Sequence, residues 1–315
     1  MSATGSAEGE ATNDPTRAAT DPRSVRRGYG LVALAASLWG MWSLFLRPAE
    51  RISALDPAFE TFLMFATMAI TVMPFALRDR SRARRSRQSW GLMIALGATD
   101  AANVGCFFWA MQKGSLAVAV LFHYLAPLFI ALTAPLVLGE KGRFPGAALA
   151  SALAGLTLLV GPGSQGNGDM TASAVLGSAS AVFYAMTTLL NKRLERDFSV
   201  LELLAYHAAA SALLVTPLLF ASRGGTPVAI GYVVAGAVLL SSGGTFAYLS
   251  GLRRVPASRA AVLTLIEPVV ALFVGAVVWG EPVTLRGVLG AGLVLIGAYL
   301  VLASRVDTRY PIGNR

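Results

Sequence analysis

The stretch "LAPLFIALTAPLVLGEKGRFPG" (125–146) aligns with "IEPVVALFVGAVVWGEPVTLRG" (266–287) at a constant spacing of 141 residues. Pro127 falls on Pro268, Gly139–Glu140 on Gly280–Glu281, and Gly146 on Gly287. Lys113 and Arg254 keep the same spacing, Glu60 and Glu202 are 142 apart, and Pro74 and Pro217 are 143 apart, a drift that small loop insertions produce. Self-similarity at a fixed period means that one structural unit occurs twice.

Both stretches are apolar, and so is most of the chain: 55% of its residues are hydrophobic and 14% charged, against about 25% charged in soluble domains. Apolar runs recur that are long enough to cross ~30 Å of hydrocarbon at ~1.5 Å per residue. They predict ten membrane helices over 29–46, 58–77, 90–111, 115–138, 144–162, 171–190, 201–220, 229–251, 258–279 and 285–303. The first, 18 residues long, is near the lower limit for a span and lacks the small-residue cleavage site of a signal peptide. Trp39, Trp90, Trp279 and Tyr29 sit near span ends, where amphipathic rings favour the lipid interface.

Basic residues test the count, because cytoplasmic loops carry the excess of Lys and Arg. With the N-terminus in the cytoplasm, 21 of the 26 basic residues fall inside and 5 outside. A missed span would invert every later loop. The net charge of +9 thus follows from topology. "RDRSRARRSR" (78–87) reads as a loop facing anionic lipid rather than a nucleic-acid site.

The spacing of 141 spans five helices, an odd number, so the second copy enters the membrane from the opposite side. The reading is an all-α membrane protein with two inverted five-helix repeats, an architecture recurrent in secondary transporters. Residues 29–162 form the first repeat and 171–303 the second. Between them 163–170, part of the Gly-rich "GPGSQGNGDM", is a linker. Residues 1–28 are expected to be a disordered cytoplasmic tail, and 304–315 a second cytoplasmic tail.

Two five-helix halves, "LAASLWGMWS" at the start of the first, and "PLFIALTAPLVLGE" and "EPVVALFVGAVVWGE" near the end of each, resemble the EamA domain of the drug/metabolite transporter superfamily. The resemblance covers about residues 29–303. It implies a ten-helix exporter or exchanger of small metabolites in the cytoplasmic membrane. The family often carries an arginine in its second helix. "AFETFLMFATMAI" has none, so no contact from that residue carries over.

Proline inside a helix frees a carbonyl, and interrupted helices at matching positions of two halves point to a midplane site. Pro127 and Pro268 are therefore candidates to line one; the alternative is a kink that serves packing. Glu267 precedes Pro268, and a carboxylate at bilayer centre costs ~3 kcal/mol. It is expected to face a wet cavity, with Thr264 one turn away as a hydrogen-bond partner, and to bind a proton or a cationic group. Asp100 sits mid-helix with Asn103 and Phe107 on the same face. His123 and Tyr124 stand just before Pro127, and His207 beside Tyr206. Trp39, Trp42, Tyr184 and Tyr248 are candidate cavity walls, with lipid contact as the alternative. Glu60 and Glu202, near helix ends, are expected to be solvated. Small residues every four positions in the fifth and tenth helices (Gly146, Ala150, Ala154; Gly287, Ala291) suit close packing or a homodimer contact.

One cysteine and two histidines make no metal cluster, and no cofactor is expected. There is no P-loop and no G-x-S-x-G elbow. No lysine falls inside the spans above, which excludes a retinal-type Schiff base. The expected partners are a small-molecule substrate and the bilayer. An intramembrane lipid-modifying enzyme is the alternative, since two carboxylates and two histidines can act as acid and base. It gives no reason for an inverted repeat. A receptor or scaffold would carry larger loops.

Overall fold

A computed structural model describes residues 22–79, 85–114, 116–140, 146–160 and 168–303. Most of the expected tails, the middle of the 78–87 loop, Lys141, Arg143 and most of the linker lie outside the described residues. Regular structure among the described residues is entirely helical, in ten membrane helices. The first runs Pro22–Gly40 and resumes as Ser43–Ile52, the second is Pro57–Arg78 and the third Arg87–Lys113. The fourth is split into Leu116–His123 and Ala126–Val137, and the fifth, Gly146–Val160, is the shortest. The sixth is Met170–Leu194. The seventh, Val200–Val215, tightens to a 3-10 turn over Thr216–Ala221, where Pro217 withholds its N–H. The eighth, Pro227–Leu252, carries a π-helical turn over Ala237–Ser242. The ninth is split into Ala257–Thr264 and Ile266–Trp279, and the tenth is Leu285–Ala303.

The first helix is longer than the sequence led us to expect. It begins at Pro22, inside the expected disordered tail, and Val25 and Gly28 are buried. A Cβ at Gly28 would lie 2.7 Å from the Arg254 Cβ, so the helix seats there against the end of the eighth. With the span reaching Ile52, Trp39 and Tyr29 lie within it rather than at its ends. Lys192, expected beyond the sixth helix, is in its last turn and buried. Its ammonium donates to the Leu252 carbonyl at 2.5 Å and lies 3.0 Å from Glu195.

The two halves terminate matching helices alike. Gly139 and Gly280 end the fourth and ninth helices with φ of +64° and +67°, a left-handed conformation that favours glycine. The repeated Gly-Glu is thus a helix stop followed by a carboxylate. Starts are equally local: Asp56, Ser86, Asp169, Ser199 and Thr226 each accept a backbone N–H of the turn they precede.

The fifth and tenth helices pack on each other through small residues. A Cβ on Gly155 would sit 2.5 Å from the Gly290 carbonyl oxygen, and one on Gly290 2.6 Å from that of Gly155. Ser151 Oγ donates to Leu293 O across the same seam at 2.8 Å. The face used is Ala148, Ala152 and Gly155, whereas Ala150 and Ala154 of the expected stripe point outward and are exposed. Both stripes recur at helical spacing, so spacing alone could not choose between them. Gly290→Val is expected to force the helices apart and to lower the detergent-solubilised protein's stability by about 2 kcal/mol, read as an earlier thermal transition.

Candidate functional site

The chain breaks its helices at three places that meet in the middle of the bundle: Met41–Trp42, Tyr124–Leu125 and Leu265. Tyr124 and Leu265 are 141 residues apart, so the breaks of the fourth and ninth helices are repeat mates. Pro127 and Pro268 do not kink continuous helices. Each lies in the first turn after its break, where a missing N–H leaves no hydrogen bond unmade. The first-helix break packs directly on the ninth: a Cβ on Gly40 would fall 2.5 Å from the Glu267 carbonyl oxygen.

Around these breaks lies a cavity of about 190 Å³. Seven of the expected site residues line it: Trp39, Asp100, Asn103, His123, Tyr184, Tyr248 and Glu267. Pro127, Pro268, Tyr124 and Thr264 are buried just behind its wall. Trp42 and His207 line it too.

One wall is a hydrogen-bond network centred on Asp100. His207 Nε2 lies 3.1 Å from Asp100 Oδ2, and His207 Nδ1 lies 2.6 Å from the Leu203 carbonyl. A carbonyl only accepts, so Nδ1 carries a proton. The contact between Nε2 and the carboxylate then needs one further proton, held by either partner, and the pair is net neutral in both arrangements. Asn103 Nδ2 donates to Asp100 Oδ1 at 3.3 Å. Ser180 Oγ donates to the Asn103 carbonyl and Oδ1 at 2.8 and 2.9 Å. Its only proton is thereby used, so His123 Nδ1, 2.8 Å away, is the donor to it. The His123 ring stacks on Tyr184 with centroids 5.6 Å apart and lies 4.3 Å from Phe107.

The other wall centres on Glu267, in the first turn of the helix that restarts after Leu265, where the amide dipoles favour an anion. Its hydrogen-bond partner is Tyr124 rather than the expected Thr264. The break at Leu265 takes Thr264 off the helical face it would have shared with Glu267. Thr264 Oγ1 instead donates to Ala261 O at 2.8 Å and meets Tyr184. Tyr248 joins through Thr188 at 3.2 Å, and its ring lies 5.4 Å from that of Trp39.

The sequence reading passed over Thr187, Thr188 and Asn191, which line the cavity with Tyr184. The signal was present: 184, 187, 188 and 191 are one polar face of an apolar helix.

The two ends of the bundle differ. At the end carrying Arg85 and Arg253, Glu140 of the first half caps the ninth helix of the second. Its Oε1 accepts the Ala257 N–H at 2.5 Å, and its Oε2 accepts Ser258 Oγ at 2.9 Å and N–H at 3.3 Å. Arg85 Nη2 donates to both oxygens of Glu202 at 2.7 and 2.6 Å. Ser89 Oγ donates to Asp197 at 2.8 Å, and Arg253 donates to the Phe198 carbonyl. Burial lowers the Arg253 pKa and raises that of Glu195, and their opposite charges offset part of each shift. Glu202 is therefore buried and ion-paired, not solvated as expected. Glu60 is buried as well, with Oε1 unpartnered. At the opposite end Glu281, repeat mate of Glu140, pairs with Arg47 at 2.5 Å and its side chain is 46% exposed. Its other carboxylate oxygen folds back over Gly275.

Substituting both members of the Asp100–His207 contact, as Asp100→Asn and His207→Gln, is expected to show a coupling energy of about 1–3 kcal/mol in a thermal-stability double-mutant cycle.

Comparison with known proteins matches the chain twice to one family description, the EamA-like transporter family, over residues 26–161 and 171–303. An uncharacterized transporter of Archaeoglobus fulgidus is 30% identical over 282 residues, covering 88% of this chain and 97% of that protein. The uncharacterized inner membrane transporter YicL of Salmonella typhimurium is 26% identical, covering 88% and 96%. The pseudopaline exporter CntI of Pseudomonas aeruginosa is 27% identical over 62% of this chain and 67% of its own. A crystal structure at 20% identity shares the fold, with a TM-score of 0.76 over 88% of this chain and 98% of that one. With nine helices among the described residues long and apolar enough to cross a membrane, and two family matches that together span most of it, this chain is a multi-pass membrane protein that belongs to the EamA-like transporter family.

Proposed function

We propose that the protein is a secondary exporter or exchanger of a small metabolite, working by alternating access in the cytoplasmic membrane with both termini in the cytoplasm. The observation that carries this reading is the asymmetry of Glu140 and Glu281. Two carboxylates at repeat-equivalent positions have different partners at opposite ends of the bundle. Glu140 ties the halves together at the end expected to be cytoplasmic. Inversion maps Ala257 onto Leu116, where the fourth helix begins. In the alternate state Glu281 leaves Arg47 and caps that helix start, while Glu140 releases Ala257 and Ser258. One cap is exchanged for a like cap, so the two states stay close in free energy, as a cycle between them requires. Export is supported by the resemblance to the family and by the name of the Pseudomonas relative.

The cap exchange is tested by thiol accessibility. In a Cys106→Ser background, Ser241→Cys places a thiol on the cavity wall. Glu140→Ala is expected to raise its labelling from the Arg85 end by about tenfold, since it removes charge-assisted hydrogen bonds that close that end. Glu281→Ala is expected to leave labelling from that end unchanged or lower it; an equal rise in both variants contradicts the exchange. The activity is tested by screening metabolites against over-expressing cells and by counterflow in proteoliposomes. Saturable exchange supports transport, and lipid conversion without flux contradicts it.

A further inference from the structure

We propose that the transported compound is an amphipathic organic amine, bound with its protonated nitrogen at Glu267 and its apolar body against the aromatic wall. This rests on the transport reading above and names the chemistry of its substrate. The chain has 26 lysines and arginines, and none of the described ones lines the cavity. An anion or the carboxylate of a zwitterion would find no fixed cation there.

The two carboxylates differ. Asp100 has a basic partner in contact, with His207 Nε2 3.1 Å from its Oδ2. Glu267 has the hydroxyl of Tyr124 for a partner and no salt bridge among the described residues. It is the acid whose ionised form lacks a counterion, and it lies on the cavity wall. A second acceptor is unpaired: Asn191 is 4% exposed, lines the same cavity, and its buried Oδ1 has no hydrogen-bond donor. A buried acceptor left unmade is costly, and a ligand N–H satisfies it. A protonated amine brings both the charge that Glu267 lacks and a donor for an acceptor such as Asn191. A quaternary ammonium brings only the charge. The rings of Trp39, Tyr248, Tyr184 and Phe107 supply faces for a cation and an apolar body.

The test uses the full-length chain in detergent and in proteoliposomes, with four probes that share a phenyl ring on a two-carbon chain and differ in their charged groups. They are phenethylamine (cation), its N,N,N-trimethyl derivative (quaternary), 3-phenylpropionate (anion) and phenylalanine (zwitterion). Binding is read from intrinsic fluorescence, as Trp39 and Trp42 line the cavity, and transport from counterflow. Phenethylamine is expected to bind saturably, about tenfold or more tighter than the anion and the zwitterion. The quaternary compound is expected to fall between. Glu267→Gln is expected to weaken the amine about tenfold or more while leaving the thermal transition in place. If that variant does not fold, Asn191→Asp serves: an added carboxylate is expected to tighten the amine and not the anion.

Preference for the anion or zwitterion, or no saturable amine binding, overturns the proposal. So does Glu267→Gln binding the amine as wild type does, or Asn191→Asp failing to favour it. Counterflow of the anion but not the amine overturns the proposal and leaves transport standing. Amine binding that depends on Glu267 but gives no counterflow of any probe supports the assigned chemistry and contradicts transport.

Discussion

A backbone in hydrocarbon must satisfy its own hydrogen bonds, and the α-helix is the way a single segment does so. Helices can then be interrupted only where protein or water meets the freed groups. In this chain the interruptions at Met41–Trp42, Tyr124–Leu125 and Leu265 converge on one interior place, and the cavity with its polar side chains is there. Each break also begins a fresh helical turn. That turn presents amide dipoles to an anion, and in the ninth helix the residue supplied for it is Glu267.

The same constraint explains what the sequence could tell. Ten spans, the twofold repeat and the matching prolines were legible because lipid demands long apolar runs and inversion preserves register. The edges of the first span were not. The packing of Gly28 on Arg254 and Val255 extends that helix into polar sequence, and this depends on a neighbour more than 200 residues away. Asp100, Asn103, His123 and Glu267 stood out as costly polar groups in apolar runs. Their partners did not: Tyr124 replaces Thr264 because the ninth helix breaks between Thr264 and Glu267, and Glu202 is buried because Arg85 arrives from a loop. The polar face of the sixth helix was visible in its spacing but carries no charge to draw notice.

Inversion gives the two halves the same local devices, and the structure uses them differently. Both Gly-Glu pairs stop a helix in the left-handed conformation. One glutamate then bridges the halves by capping a helix start, while its mate sits half exposed on Arg47. A strictly symmetric bundle would have no open and closed end. The difference between Glu140 and Glu281 therefore distinguishes the two ends of the fold.

The most direct measurement is a structure of this protein captured with its cavity open at the Arg85 end. Cap exchange requires the Glu281 carboxylate to lie within hydrogen-bond distance of the backbone N–H groups that begin the fourth helix, with Glu140 released from Ala257 and Ser258. A cavity open at that end while Glu140 still caps the ninth helix would contradict it.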